Sequence, residues 1–79
     1  MSQVSVLPKL YMLLKELIAT LKQRRIALAV TQEYVSQLSG VSLPTIKKVE
    51  SGKSNPTFTT LSKIADVLGI EIKLEVKKS

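Results

Sequence analysis

Residues 31–69 read TQEYVSQLSGVSLPTIKKVESGKSNPTFTTLSKIADVLG, and the punctuation of this stretch decides the fold. Thr31 is of the residue type that caps helix N-termini and Gly40 of the type that ends helices, so a short helix is expected between them, closing near Ser39. Ser42 caps a second, roughly Leu43 to Ser51. Pro44 falls in its first turn, where a missing N–H costs little, and Gly52 stops it. After Asn55-Pro56, Thr57 caps a third helix running to Leu68. Phe58, Leu61, Ile64, Ala65 and Leu68 share its inward face, and Gly69 ends it.

Upstream, Pro8 suits the first turn of a helix, and Leu10, Leu14, Leu17, Leu21 and Leu28 recur at helical spacing. A first helix is therefore expected from about Pro8 to about Leu28. Tyr11, Met12, Leu13 and Ile18 widen its apolar stripe beyond what a small bundle needs, which points to a contact outside the monomer. The apolar run from Leu7 to Leu21 is no membrane segment: Lys9, Lys15 and Glu16 interrupt it, it falls short of a bilayer span, and no small-residue cleavage site follows. A soluble chain without a membrane partner is expected.

Downstream the period changes. Residues 70–77 read IEIKLEVK, with Ile70, Ile72, Leu74 and Val76 alternating against Glu71, Lys73, Glu75 and Lys77, the pattern of a half-buried strand. A strand cannot stand alone, since its backbone groups and apolar face would both stay open. Two partners are conceivable: the same strand of a second subunit, or the briefly alternating Val4-Ser5-Val6.

Seventy-nine residues make one small domain near the lower limit for a self-sufficient core. With neither cysteine nor histidine, the chain has no disulfide and no residue set for a metal; cysteine-free composition suits the reducing cytoplasm. Catalysis finds no material either, because no base stands beside the serines and no glycine-rich phosphate loop occurs. No enzyme, cofactor or metal is expected. The formal charge of +6 favours a polyanionic partner, and Lys22, Arg24, Arg25, Lys47, Lys48 and Lys53 are opposed within their stretch only by Glu33 and Glu50.

A short helix pair joined by a tight turn containing glycine is the helix-turn-helix, whose second helix enters the major groove of DNA. From about residue 17 to 70 the chain resembles the Xre/lambda-repressor-like helix-turn-helix proteins and, within them, the HipB-like group that accompanies HipA-type kinase toxins. The Thr31-Gln32 pair, the Val49-Glu50-Ser51-Gly52 stretch and the Gly-Lys-Ser-Asn-Pro loop at 52–56 carry the resemblance. It implies an all-α, lambda-repressor-like helical bundle with a helix-turn-helix, plus one C-terminal β-strand pairing across a homodimer through Ile70, Ile72, Leu74 and Val76. The expected organisation is an N-terminal extension with the start of helix 1 (1–16), a DNA-binding domain (17–69), and a dimerisation strand and tail (70–79).

Site residues follow partly from chemistry and partly from the resemblance. DNA reading needs donors that clamp phosphates and side chains that reach base edges. Ser42, Leu43, Pro44, Thr45, Lys47 and Lys48 are expected on the exposed side of the third helix as base-edge candidates, with Ile46 and Val49 facing the core. Leu43 and Pro44 stand where the family often has Gln, Arg or Ser and offer apolar contact alone, for instance to a thymine methyl; polar contacts then fall to the two lysines. The resemblance implies a phosphate role for Gln32, whose alternative is an ordinary exposed helix start, and for the loop Lys53, Ser54 and Asn55, where the alternative is a structural turn in which Asn55 caps its own backbone. It also implies an ion pair between Glu50 and Arg25, leaving Lys22 and Arg24 for phosphate. Ala29 replaces a usual glycine after the first helix, and Ser36 and Ser39 replace usual alanines.

The function expected from these features is a homodimeric, sequence-specific DNA-binding repressor on a palindromic operator. The HipB-like resemblance implies that it is also the antitoxin of a HipA-like kinase toxin. Alternatives are a stand-alone phage or plasmid repressor, or a protein-interaction adaptor on the same fold.

Overall fold

The computed structural model describes residues 2–73, with side chains from residue 11 onward. Four helices follow in order: α1 (Ser2–Ala27), α2 (Gln32–Ser39), α3 (Leu43–Ser51) and α4 (Phe58–Val67). The bounds of α2, α3 and α4 fall where the capping residues place them. Thr31, Ser42 and Thr57 each sit in extended backbone and accept a hydrogen bond from the N–H three residues on, which satisfies one of the orphan donors of each first turn. Gly40 and Gly52 close α2 and α3 in the left-handed conformation, at φ 76° and 73°, which costs a glycine almost nothing.

α1 begins earlier than expected: it is continuous from Ser2, so Pro8 lies inside it and Val4, Ser5 and Val6 are helical. A strand formed by residues 4–6 is thereby excluded as the partner of the C-terminal segment. Leu28, expected on the apolar stripe, lies beyond the helix end and is exposed. Ala29 makes the following turn at φ 58°, where its Cβ crowds the backbone at a cost of about 1 kcal/mol. An Ala29→Gly variant should therefore be the more stable, by about 0.5 kcal/mol once glycine's larger unfolded-state entropy is subtracted; thermal denaturation checks this.

Ten residues from all four helices and one turn form the core: Ile18, Leu21, Val35, Val41, Ile46, Val49, Leu61, Ile64, Ala65 and Leu68. α2 packs against both α3 and α4, and α1 against α3. Ile18 therefore belongs to this core and not to the surplus face on which the sequence placed it. Tyr11, Met12 and Leu13 do remain outside, at 57%, 61% and 53% exposure. Phe58 is corrected in the other direction. Its spacing matches Leu61, but at the first position of α4 nothing covers it, and it is 58% exposed.

Beyond Gly69, burial alternates as expected: Ile70 and Ile72 are half-buried against the core while Glu71 and Lys73 are exposed. No strand forms among the described residues, because a single chain offers this segment no neighbouring strand. Leu74 and Val76 lie outside the described residues. No helix in the described part is long and apolar enough to cross a membrane.

Candidate nucleic-acid interface

The pair α2–α3 is braced at three places. The first is the turn between the helices. Ser36 Oγ donates to the Val41 carbonyl at 2.6 Å, and Ser39 Oγ accepts from the Val41 N–H at 3.1 Å. The two serines that replace alanine thus bind the polar backbone of a turn whose Val41 side chain is buried. Reading them as a mere polar blemish missed this, although a hydroxyl two residues before an N–H is a recognisable local hydrogen-bonding pattern.

The second brace is the carboxylate of Glu50. Arg25 grips it in a fork, Nε to Oε2 at 2.7 Å and Nη2 to Oε1 at 3.0 Å. Gln32 Nε2 adds a third bond to Oε1 at 3.0 Å. The remaining Arg25 donor, Nη1, reaches the Val30 carbonyl at 2.9 Å and so holds the turn containing Ala29. One carboxylate therefore joins α1, α2 and α3. Both side chains of the pair are largely buried, at 14% and 9% exposure. The bond to Glu50 raises the Arg25 pKa above its ordinary value, and burial works in the opposite direction. The ion pair expected from the sequence is present. The Gln32 amide was expected to be free for phosphate, but it spends one hydrogen here and keeps a second N–H for another acceptor.

The third brace lies at the C-terminal end of α3. Ser51 Oγ and Ser54 Oγ both donate to the Lys48 carbonyl, at 2.6 and 3.3 Å, and the Lys53 N–H donates to Ser51 Oγ at 3.2 Å. Ser54 is thus turned toward the helix end, which satisfies a carbonyl that α3 leaves open. The Asn55 side chain has no hydrogen bond to a described residue, so the self-capping turn considered for it does not form; it is exposed.

Held in this way, α3 buries Ile46 and Val49 and presents Pro44, Lys47 and Lys48 to solvent. Leu43 and Thr45 are half-buried at the flanks of that face, less exposed than expected. Ser42 and Thr45 share a hydroxyl–hydroxyl bond of 2.8 Å, so both are preoccupied with the helix start. The outward surface is therefore an apolar proline followed by two ammonium groups, with no carboxylate on α3 facing the same way. Lys22 is exposed on α1. Arg24 is not left free, as the sequence reading had it: Nε donates to the Leu68 carbonyl at 2.9 Å, capping the end of α4. A contact across 44 positions leaves no local signal in the sequence.

Residues 21–74 match the family model described as Helix-turn-helix. The chain belongs to this family, the Xre/lambda-repressor-like helix-turn-helix proteins. Among curated relatives it is 40% identical over 57 residues to an uncharacterized HTH-type transcriptional regulator of Haemophilus influenzae, an alignment covering 72% of this chain and 54% of that protein. It is 44% identical over 52 residues to the cryptic phage CTXphi transcriptional repressor RstR of Vibrio cholerae, covering 66% of this chain and 46% of the repressor. The chain thus spans about half the length of the curated relatives it matches. No solved structure matches it.

Proposed function

We propose that this chain is a DNA-binding transcriptional regulator, a repressor that sets α3 into the major groove of a double-stranded operator. One observation carries the reading: α3 has its apolar side locked in the core and its lysine side held outward by braces from three other segments. A helix fixed in this way is a rigid probe carrying cations, which is what groove entry and phosphate contact require. The names of its relatives, a transcriptional regulator and a transcriptional repressor, agree with it. In this reading Lys47 and Lys48 supply the polar contacts, Pro44 and Leu43 apolar ones, and Gln32, Lys22, Lys53, Ser54 and Asn55 the phosphate contacts. The test is a titration of the chain against a duplex carrying the region upstream of its own gene and against a random duplex. Tighter binding to the first, weakening steeply with salt, supports the reading; equal or absent binding removes it.

The repressor acts as a homodimer on a palindrome. Ile70 and Ile72 turn their side chains to the chain's own core, which leaves the backbone edge of this segment available to its two-fold mate. Deleting Glu71 to Ser79 should convert a dimer to a weakly associating monomer in sedimentation, and reduce affinity for a palindrome far more than for a half-site. An intact dimer after truncation would transfer the interface to α1.

As to what the repressor controls, the HipB-like resemblance supports the antitoxin of a HipA-type pair. A stand-alone phage repressor has support of its own in the likeness to RstR. Purification from the native cell separates them, since an antitoxin brings a kinase toxin with it and a phage repressor does not.

A further inference from the structure

We propose that the N-terminal half of α1 carries an additional contact to the DNA backbone, in which Lys15, steadied by Tyr11, clamps a phosphate together with Lys53 and Asn55. This rests on the DNA-binding reading and extends it to residues that no family match covers, since that match begins at residue 21.

An open cleft of about 620 Å³ separates α1 from the loop that follows α3, lined by Tyr11, Leu14, Lys15, Lys53, Ser54 and Asn55. Two lysines and an asparagine thus border one hollow, and no carboxylate lines it. Glu16, the neighbouring acid on α1, is not among the lining residues. Two ammonium groups bordering a shared space repel one another, and an anion placed between them relieves that repulsion.

Lys15 is not a free surface lysine. Its Nζ lies 5.0 Å from the centroid of the Tyr11 ring, one helical turn away, within the range of a cation–π contact. The contact holds the ammonium near the cleft wall and lowers the entropy that a phosphate bond would otherwise cost. On the opposite wall, Asn55 has no hydrogen bond to a described residue and is exposed, so its amide can donate. That wall continues directly from the C-terminal end of α3 through the Lys48–Ser54 bond. A duplex seated on α3 therefore brings its sugar–phosphate strand toward this loop, and a phosphate there is one that α1 can reach across the cleft. The source of the anion is the duplex, because the cleft is open and continuous with the helix that meets it.

The experiment uses the full chain, with Lys15→Gln, Lys15→Arg and Tyr11→Leu variants, on the upstream duplex and on a random one. Lys15→Gln should weaken both complexes alike by about tenfold and reduce the slope of log affinity against log salt by about 1, the signature of one lost phosphate. Lys15→Arg should retain the parent slope, and Tyr11→Leu should fall between the two. In ethylation interference, Lys15→Gln should lose one phosphate per half-site. The side chains of Tyr11 and Lys15 are exposed, so thermal stability should not change, which separates the effect from misfolding. A Lys15→Gln variant with the parent's slope and phosphate footprint overturns the proposal and leaves the DNA-binding reading standing, whatever its response to inorganic phosphate. A parent chain that binds neither duplex removes both.

Discussion

Exchanging Lys47 and Lys48 together for glutamate should reduce affinity for the upstream duplex by at least about a hundredfold at moderate salt. Both ammonium groups lie on the exposed face of α3, and no carboxylate holds either of them among the described ion pairs. Each one that neutralises a phosphate releases counterions, and each glutamate in its place adds repulsion against the same strand. The salt slope should fall by about 2 for the two lost contacts. The fold should survive, because neither side chain is buried; circular dichroism and the melting temperature check that. Fluorescence anisotropy on labelled duplex reads the binding. Unchanged affinity would mean that α3 is not the probe, and the protein-interaction adaptor would take over as the better reading.

Glu50→Ala should be the most damaging single change to stability. It removes three hydrogen bonds at once and leaves the Arg25 guanidinium largely buried without its counter-charge. Breaking a buried pair by removing one partner costs on the order of 3 kcal/mol. A domain of this size is stable by only about 4–10 kcal/mol, so the melting temperature should drop by about 15 °C. The double variant Arg25→Met with Glu50→Leu should recover much of the loss, since it strands no charge. A Glu50→Ala chain melting within a few degrees of the parent would show the carboxylate to be dispensable. The pair does not make the domain sensitive to alkaline pH. Arg25 has its pKa raised on folding, so its contribution is complete below the guanidinium's ordinary value and is lost only as pH rises through the still higher folded one.

The helix-turn-helix was legible because its boundaries are local chemistry. Thr31, Ser42 and Thr57 as caps and Gly40, Gly52 and Gly69 as stops each act within a few residues, and the structure places them as read. The Arg25–Glu50 pair was legible for a different reason: a resemblance supplied a contact that spacing alone would not. What escaped was non-local or depended on competition between partners. Arg24 finds the Leu68 carbonyl only because α1 and α4 end close together. Gln32 had two acceptors open to it, a phosphate and Glu50, and the sequence does not rank them. Phe58 and Ile18 show that periodicity gives a face but not its coverage: the spacing was right for Phe58 with nothing above it, and the surplus stripe on α1 concealed a true core position. The start of α1 was set too late because Pro8 was taken for a first-turn residue, and the chain places it inside a continuous helix.

The Glu50 carboxylate also bears on kinetics. Since it gathers donors from three segments, the reading helix is assembled before any duplex arrives and little order remains to be created on docking. Encounter rates with different operators should then be nearly alike, governed by charge and salt. Discrimination between a cognate and a foreign site would be written in residence time, with the lifetime of the complex, rather than the speed of capture, setting how long a promoter stays silent.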